Sequence, residues 1–416
     1  MRRHPFGLTF AVAALFLASV ARGDDGGRCW VATWGAAVQA PLFAPAPMFQ
    51  NQTLRQIVHT SIAGRAVRVR FSNAIGSVPL TIDAASVGIR QLGADVVAGT
   101  LRPLTFGGAT SITIPPHATA ASDAVSLRVG AESDLAISVF LANATPGTTQ
   151  LTLSHQTSFL SGAGNFTGSA TLAPMSTFTS WFFLAGVDVR ARDEGTVVAF
   201  GDSITEGFNS TTDANARWPD VLARRLIARH VRLSVVDMAI SGNRVLNDEI
   251  GPNAQSRFDS EALVVPGARD IILLEGINDI GFSQIAAGVF PPSVLLTNVS
   301  ADAIIAGYKQ LIARAHAQGI RIFGGTLLAF VGAFYQDAAA EVKREAVNHW
   351  IRTSGAFDAV IDFDAATRDP QNPTRLDPAF DSGDHLHPND AGYAAMGDAV
   401  PLAIFSGDEG DREDCD

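Results

Sequence analysis

The stretch Val197-Val198-Ala199-Phe200-Gly201-Asp202-Ser203-Ile204-Thr205-Glu206-Gly207 decides how the second half of this chain is expected to fold. Its first four residues are apolar, which is typical of a short buried strand. A turn rich in glycine and serine follows, and an amphipathic helical pattern comes next. Ser203 is therefore predicted just past the carboxyl end of a strand, where open α/β sheets hold their ligands.

Further apolar runs follow this stretch, with helical patterns between them. With the run at 197–200 they make five candidate strands, the others lying at 233–240, 271–274, 320–323 and 360–363. Helical spacing of apolar residues occurs at 218–227, 304–312 and 341–351. Buried strands that alternate with helices indicate a parallel sheet covered on both faces. We therefore predict an α/β domain over residues 195–405, built on a doubly wound, five-stranded parallel sheet.

The preceding residues, 24–190, have a different texture. Short β-branched or alternating segments are separated by Gly, Pro, Asn and Ser, as at 66–71, 84–89, 111–114 and 135–140. This pattern predicts an antiparallel β-sandwich or jelly roll. The charged residues 190–195 are the predicted boundary between the two halves, and residues 406–416 form an acidic tail.

Composition bounds the kind of protein. The chain has 416 residues, of which 47% are hydrophobic and 17% charged, so we expect a globular protein of two domains. Its formal net charge is −11. An acidic chain without basic runs argues against nucleic acid as a partner. Oligomeric state is not predicted.

The first residues resemble a secretory signal. Arg2 and Arg3 precede an apolar run at 8–20, and residues 19–21 are small enough for cleavage. The run is short for a membrane span, and no other segment is long and apolar enough for stable insertion. We expect a signal peptide over residues 1–23 and an exported protein, with an uncleaved arm or anchor as the alternative.

The sequence allows two kinds of covalent modification, a disulfide and N-linked glycans. The chain has 2 cysteines, Cys29 and Cys415, which either form one disulfide between the mature ends or remain free thiols. Glycans are expected only in a host that glycosylates exported proteins. The acceptor asparagines are Asn51, Asn143, Asn165, Asn209 and Asn298.

Three short motifs follow Ser203 and are predicted near the same sheet edge. They are Ser241-Gly242-Asn243-Arg244, Gly276-Ile277-Asn278-Asp279 and Asp384-His385-Leu386-His387-Pro388. Acyl transfer needs a nucleophile, a base, a group that orients the base, and donors for the oxyanion. Ser203, His387 and Asp384 can fill the first three roles.

Two backbone N–H groups and one side-chain amide are the expected hydrogen-bond donors to the oxyanion. The N–H groups of Ser203 and Gly242 and the side chain of Asn278 are the candidates, because they donate without a charge that titrates. A catalyst of this kind requires no cofactor.

These motifs resemble the blocks of the SGNH, or GDSL, hydrolase superfamily. Residues 201–207 match its first block, Gly242 its second, 276–279 its third and 384–387 its fifth. The resemblance implies a flavodoxin-like hydrolase fold and an esterase. It also implies that Ser203, Gly242, Asn278 and His387 are the four namesake residues, with Asp384 completing the triad.

A looser similarity covers both halves. Residues 30–35, 52–56, 71–76 and 381–390 resemble the exported two-domain branch that includes xylan-esterase-like proteins. This implies hydrolysis of acetyl esters on a polysaccharide such as acetylated xylan. The alternatives are short-chain lipid or lysophospholipid esters and, from another class, an inactive carbohydrate-binding protein.

Several candidate residues have a structural alternative. Ser203 is also a good helix N-cap, with Glu206 completing a capping box. Asn278 and Asp279 also suit an Asx turn. Arg244 either contacts substrate or forms an ion pair on its loop.

The sequence also leaves more than one role for several histidines. His385 and His387 have the spacing of a zinc pair, although no third ligand accompanies them, and His385 is otherwise expected to hydrogen-bond nearby. His155 is either structural or faces the cleft between the two halves.

Overall fold

The computed structural model describes residues 30–42, 45–191, 195–284 and 297–406. The predicted signal peptide, Cys29, Cys415 and the tail beyond residue 406 lie outside the described residues, as does part of the predicted boundary. Export, the disulfide and the domain limits therefore stay predictions.

The first half consists of antiparallel strands. They are β1 (Trp30–Gly35), β2 (Met48–Phe49), β3 (Gln52–Thr60), β4 (Gly64–Ser72), β5 (Leu80–Ile82), β6 (Ala84–Leu92), β7 (Asp95–Val96), β8 (Arg102–Leu104), β9 (Ile112–Ile114), β10 (Thr119–Ala121), β11 (Val125–Val129), β12 (Ser133–Leu141), β13 (Thr145–Pro146), β14 (Gln150–Leu151), β15 (Ser158–Ala163), β16 (Pro174–Phe178), β17 (Trp181–Phe182) and β18 (Leu184–Arg190).

Two larger sheets share one apolar core in this half. One has the order β1-β18-β4-β10, with β11 also on β4, and the other has the order β16-β15-β3-β12-β6-β7, with β8 on β6. Val69 and Val187 of the first sheet and Leu54 and Ile137 of the second are wholly buried in the same cluster. The prediction of an antiparallel β-rich half is confirmed, whereas the jelly roll stays a prediction.

The second half alternates strands and helices. Its main elements are β19 (Gly195–Gly201), α1 (Ser203–Glu206), α2 (Trp218–Ala228), β20 (Leu233–Ala239), α3 (Ala254–Phe258), β21 (Ala268–Leu274), α4 (Ile277–Gly281), α5 (Ala301–Ala317), β22 (Arg321–Gly325), α6 (Ala338–Thr353), β23 (Ala359–Ile361), α7 (Phe363–Thr367) and α8 (Asp390–Ala399). A π-helical turn spans Asp259–Leu263, and 3₁₀ turns span Phe282–Gln284 and Leu402–Phe405.

The five strands found among the described residues of this half form one parallel sheet, as predicted. Their order is β20-β19-β21-β22-β23, and every pairing is parallel. The chain leaves β19 toward one edge to form β20 and then crosses to the other side to form β21. The carboxyl end of β19 is therefore the point where the strand order reverses, and such points hold ligands in doubly wound folds.

The strand predicted at 360–363 extends two residues beyond the end of the observed strand, β23. β23 stops at Ile361 and Phe363 begins α7, because the Asp362 side chain accepts a hydrogen bond from the Ala365 backbone and caps that helix. Asp362 is an N-cap of the preferred kind. The apolar character of Phe363 reflects burial in a helix rather than a strand.

The two halves meet through hydrogen bonds as well as packing. The Ala32 backbone donates to the Pro266 carbonyl over 2.9 Å, and Ser61 Oγ accepts from the Val235 backbone over 3.2 Å. β1 also contacts β20 directly. The β-rich half thus lies against the sheet that carries Ser203. None of the helices in the described parts of the chain is long and apolar enough to cross a bilayer.

Candidate active site

Ser203 is the first residue of α1, and only Asp202 separates it from the end of β19. The helix is capped by Asp202, whose Oδ1 accepts a 3.0 Å hydrogen bond from the Ile204 backbone. The N-cap alternative for Ser203 is therefore wrong. The Glu206 carboxylate accepts a hydrogen bond from the Ser241 hydroxyl, so it does not complete a capping box either. Asp202 supplies the capping oxygen, which leaves the Ser203 hydroxyl free for another partner.

That partner is His387. Ser203 Oγ lies 2.8 Å from His387 Nε2, and His387 Nδ1 lies 2.7 Å from Asp384 Oδ2. Ser203 and His387 are both largely buried. The other Asp384 oxygen accepts from the backbone N–H groups of Leu386 and His387, over 2.9 and 2.8 Å. Three residues that are far apart in sequence thus form one chain of hydrogen bonds.

The charge on Asp384 is held by its surroundings. Burial alone would raise the pKa of Asp384, but the hydrogen bond and charge of His387 and two backbone N–H donors lower it well below its usual value. The carboxylate is therefore ionised at all ordinary pH values. An ionised acceptor at Nδ1 fixes the histidine tautomer that leaves Nε2 able to accept a proton.

The predicted oxyanion residues lie on adjoining loops. Neither the Ser203 nor the Gly242 backbone N–H donates to another described residue. Gly242 has a φ of +78°, and a Cβ there would stand 2.7 Å from Ile250 Cδ1, so the position requires glycine. These two backbone donors remain available for a ligand.

The Asn278 amide is held in one orientation. Its Nδ2 donates over 2.9 Å to the Asn243 carbonyl, and the Tyr335 hydroxyl donates over 3.2 Å to its Oδ1. Because an amide nitrogen carries two hydrogens, the second remains for a ligand. Asn278 and Asp279 both belong to α4, so the Asx-turn alternative is wrong.

Asp279 holds the loop that carries Gly242. Its two oxygens accept from the Val245 and Leu246 backbones over 2.6 and 3.2 Å. Burial raises the pKa of Asp279 to about 6. Burial likewise raises the pKa of the capping Asp202 to about 7.

Arg257 joins three parts of the site and was not predicted. It is almost completely buried in α3, and its guanidinium donates to the Gly201 and Met238 carbonyls and to Asn243 Oδ1 over 2.9, 2.6 and 2.8 Å. It therefore fixes the ends of β19 and β20 relative to the loop that follows β20. No motif surrounds Arg257 in the sequence, so a local pattern offered no signal for it.

Arg244 forms an ion pair, which is the structural alternative to a substrate contact. Its side chain is wholly buried and donates to Glu249 Oε1 over 2.7 Å and to Thr297 Oγ1 over 2.9 Å. No part of the guanidinium is exposed to meet a substrate. The predicted substrate contact is thus replaced by a structural one.

The two neighbouring histidines have different partners. His385 Nδ1 lies 2.6 Å from Asp381 Oδ2, and its side chain is 55% exposed. Within the described ranges, no group of three or more His, Cys, Asp or Glu residues is placed to hold a metal ion. The structure therefore separates His385 from the chain of hydrogen bonds that contains His387.

Two further residues contact this chain and were also missed. The Phe208 ring lies 4.5 Å from the His387 ring, centroid to centroid. Asn209 Nδ2 donates to Asp384 Oδ2 and to Ser382 Oγ, each over 3.0 Å. Both residues directly follow the first motif, and this position is the one signal the sequence offered for them.

His155 reaches the site from the β-rich half. Its ring makes an edge-to-face contact with Phe208, with centroids 6.3 Å apart. Burial lowers the pKa of His155 to about 4, assisted by the positive charge of Arg217 and by the nearby imidazole of His387. The alternative in which His155 faces the other half of the chain thus agrees with the structure.

The comparison with protein families fits this geometry. Residues 199–395 match the model of the GDSL-like Lipase/Acylhydrolase family. These residues thus belong to the class of the SGNH hydrolases. More particularly, this part of the chain is a GDSL-like lipase/acylhydrolase domain, which confirms the resemblance seen in the motifs. A search of curated proteins gave no match.

Solved structures with a similar chain include three hydrolase-family proteins. One is a protein of the G-D-S-L family from Desulfitobacterium hafniense DCB-2, with 20% identity and a TM-score of 0.38, covering 50% of this chain and 98% of that chain. A lipase/acylhydrolase from Enterococcus faecalis has 19% identity and a TM-score of 0.38, covering 50% and 93%. A catalytic mutant of an acetylxylan esterase from Geobacillus stearothermophilus has 18% identity and a TM-score of 0.38, covering 52% and 98%. At these values the similarities say nothing of the substrate of this chain.

Proposed function

We propose that the chain hydrolyses carboxylic esters through an acyl-enzyme on Ser203. The observation that carries the proposal is the 2.8 Å contact between Ser203 Oγ and His387 Nε2, continued by the 2.7 Å contact between His387 Nδ1 and Asp384. A nucleophile within hydrogen-bond reach of a base, with the base oriented by a third group, is the arrangement that acyl transfer needs.

The first half-reaction forms the acyl-enzyme. Ser203 Oγ attacks the ester carbonyl carbon while His387 Nε2 takes its proton. The carbonyl oxygen becomes an oxyanion, which accepts hydrogen bonds from the backbone N–H groups of Ser203 and Gly242 and from Asn278. As the carbon–oxygen bond to the alcohol breaks, His387 returns the proton to the leaving oxygen.

The second half-reaction releases the acid. A water molecule gives its proton to His387 and attacks the acyl carbon, and the bond to Ser203 Oγ breaks as the serine recovers that proton. Asp384 stays ionised in both halves, because its pKa is lowered well below its usual value. Its charge stabilises the imidazolium that forms twice in each turnover.

The nucleophile is tested by replacing one serine at a time. We expect the purified protein to hydrolyse p-nitrophenyl acetate, Ser203→Ala to abolish this activity, and the exposed Ser260→Ala to leave it unchanged. A fluorophosphonate probe should label a peptide containing Ser203 in the wild type and none in Ser203→Ala. Equal hydrolysis by wild type and Ser203→Ala would contradict the mechanism.

The substrate we propose is an acetyl ester on a polysaccharide such as acetylated xylan. The support is the similarity of residues 30–35, 52–56, 71–76 and 381–390 to the xylan-esterase-like branch, together with a net charge of −11, which disfavours anionic membrane surfaces. Acetate release from acetylated xylan and fatty-acid release from lysophospholipid should be measured side by side. Faster release of fatty acid would favour the lipid alternative, and binding of xylan without either product would favour an inactive carbohydrate-binding protein.

We also propose that the protein is exported. The support is the pair Arg2 and Arg3 followed by the apolar run at 8–20. Protein recovered from outside the cytoplasm should begin near residue 24, whereas an intact Met1 would contradict cleavage. The mass of the same sample distinguishes a Cys29–Cys415 disulfide from two thiols.

A further inference from the structure

Phe208 lies between two histidines that belong to different halves of the chain. Its ring centroid is 4.5 Å from that of His387 and 6.3 Å from that of His155, and the planes of Phe208 and His155 are 85° apart. Edge-to-face pairs at such distances are attractive beyond their buried area. The three rings therefore form a continuous series of contacts from the β-rich half to the proposed base.

The segment that carries His155 is tied to the catalytic half by Asp213. Oδ1 of Asp213 accepts from Gln156 Nε2 over 2.7 Å and from the Thr157 backbone over 2.6 Å, while Oδ2 accepts from Thr157 Oγ1 over 2.6 Å. The Asp213 backbone in turn donates to the His155 carbonyl over 3.0 Å. Four hydrogen bonds thus hold His155 in place over Phe208.

The buried ring of His155 has one nitrogen without a partner. Nε2 makes no hydrogen bond to another described residue. The backbone φ of +49° is left-handed, a conformation in which histidine is one of the more frequent non-glycine residues. A buried polar atom without a partner costs stability, so the contacts around the ring, rather than its own hydrogen bonds, hold it at this position.

We propose that His155 is a positioning residue, whose ring holds Phe208 against His387 and so sets the imidazole for proton transfer from Ser203. The inference rests on the proposed roles of Ser203 and His387. It gives the β-rich half a part in the reaction without any contact to the reacting atoms. Small displacements of a catalytic group cost up to about 10²-fold in rate, so a supporting ring is worth a measurable factor.

The test compares two replacements of His155. His155→Asn tolerates the left-handed backbone but has no aromatic ring, whereas His155→Phe keeps a ring without nitrogens. With p-nitrophenyl acetate, we expect His155→Asn to lower kcat at least tenfold with KM within twofold of wild type. His155→Phe should restore kcat to within about threefold of wild type, and fluorophosphonate labelling of Ser203 should slow and recover in parallel.

A control variant and a double variant complete the test. Ser61→Ala removes a hydrogen bond between the halves near the start of β20, away from Ser203, and should leave kcat unchanged. Phe208→Leu should lower kcat as His155→Asn does. The double variant should be no slower than Phe208→Leu alone, because both changes break the same series of ring contacts. If His155→Asn alone folds poorly, Phe208→Leu and His155→Phe still test the contact between the rings.

The outcomes separate this inference from the proposed function. Wild-type kcat in His155→Asn, or fully multiplicative losses in the double variant, would overturn the positioning role while leaving the esterase intact. A raised KM in both His155→Asn and His155→Phe would overturn it too, because the ring nitrogen would then be contacting substrate. Absence of hydrolysis by the wild type, or its persistence in Ser203→Ala, would instead remove the proposed function.

Discussion

The side chain of Asn209 donates to the same Asp384 oxygen that accepts from His387, over 3.0 Å, while the His387 contact measures 2.7 Å. The second Asn209 amide hydrogen goes to Ser382 Oγ, also over 3.0 Å. Asp384 therefore accepts four hydrogen bonds, two on each oxygen. Such a carboxylate is fixed in its plane, and the imidazole it orients is fixed with it.

Removing the Asn209 amide should slow the chemistry without weakening binding. We expect Asn209→Ala to lower kcat roughly 5- to 10-fold, which corresponds to about 1 kcal/mol for one charge-assisted hydrogen bond at an exposed site. KM should be unchanged. Thr211→Ala is the matched control, because it too removes the Asn209-Ser210-Thr211 sequon but leaves the Asn209 side chain in place. Equal kcat values for Asn209→Ala and Thr211→Ala would contradict a role of the Asn209 side chain in the reaction.

The two neighbouring histidines should differ sharply in a kinetic comparison. His387→Ala is expected to lower kcat by at least about 10³-fold, because it removes the base from Ser203. His385→Ala should cost less than about 10-fold, since the His385 side chain is 55% exposed and pairs with Asp381 rather than with Ser203. Steady-state rates on p-nitrophenyl acetate give both numbers. The reverse order would transfer the role of base to His385.

The Asn278 amide should matter more than the hydroxyl that orients it. Asn278→Ala is expected to lower kcat by about 10²- to 10³-fold, the usual cost of losing one oxyanion donor. Tyr335→Phe removes only the hydrogen bond to Asn278 Oδ1, so its loss should be about 10-fold or less. Equal losses in the two variants would indicate that the amide acts through folding rather than on the oxyanion.

His59 in the β-rich half should make stability depend on pH. Burial would lower the pKa of His59, but hydrogen bonds and charges from Asp134 and Glu132 raise it to about 9. A raised histidine pKa means that the folded state binds the proton more tightly. The stabilisation is therefore complete below about pH 6.5 and disappears as the pH rises through about 9.

The measurement is the free energy of unfolding of wild type and His59→Gln in denaturant, from pH 6 to pH 10. The difference between them should be on the order of 1–3 kcal/mol near pH 6 and shrink toward pH 10. A difference that grows with pH would show that His59 is neutral in the folded protein.

Much of the catalytic half was predictable because its signals are local. The run 197–200 is apolar on every residue, as a strand covered on both faces must be, and every residue of β19 is buried. Ser203, Gly242, Asn278 and His387 each stand in a short motif, and parallel strands bring their carboxyl ends to one edge. The doubly wound fold that these motifs indicate then implies the strand order β20-β19-β21-β22-β23.

What escaped prediction depends on contacts between distant parts of the chain. Arg257 reads as an ordinary helix residue, and its three acceptors become neighbours only after the sheet has formed. His155 is 232 positions from His387, and no spacing rule connects them. The sequence left the N-cap open as an alternative role of Ser203, because serine and aspartate are nearly equal as N-caps, and the structure uses Asp202.

Arg257 has two further partners, the carboxylates of Glu275 and Glu261, and the second of these also contacts the first half of the chain. Its Nη1 also donates to Glu261 Oε2 over 3.1 Å, while the other Glu261 oxygen accepts from the Val38 backbone over 3.0 Å. Exchanging the first half of the chain for an unrelated fold would leave this buried carboxylate short of a donor, beside the loops that carry Gly201 and Asn243. A chimera joined at residues 190–195 is therefore expected to be less stable, unless the new first half supplies a hydrogen-bond donor to Glu261 in place of the Val38 backbone.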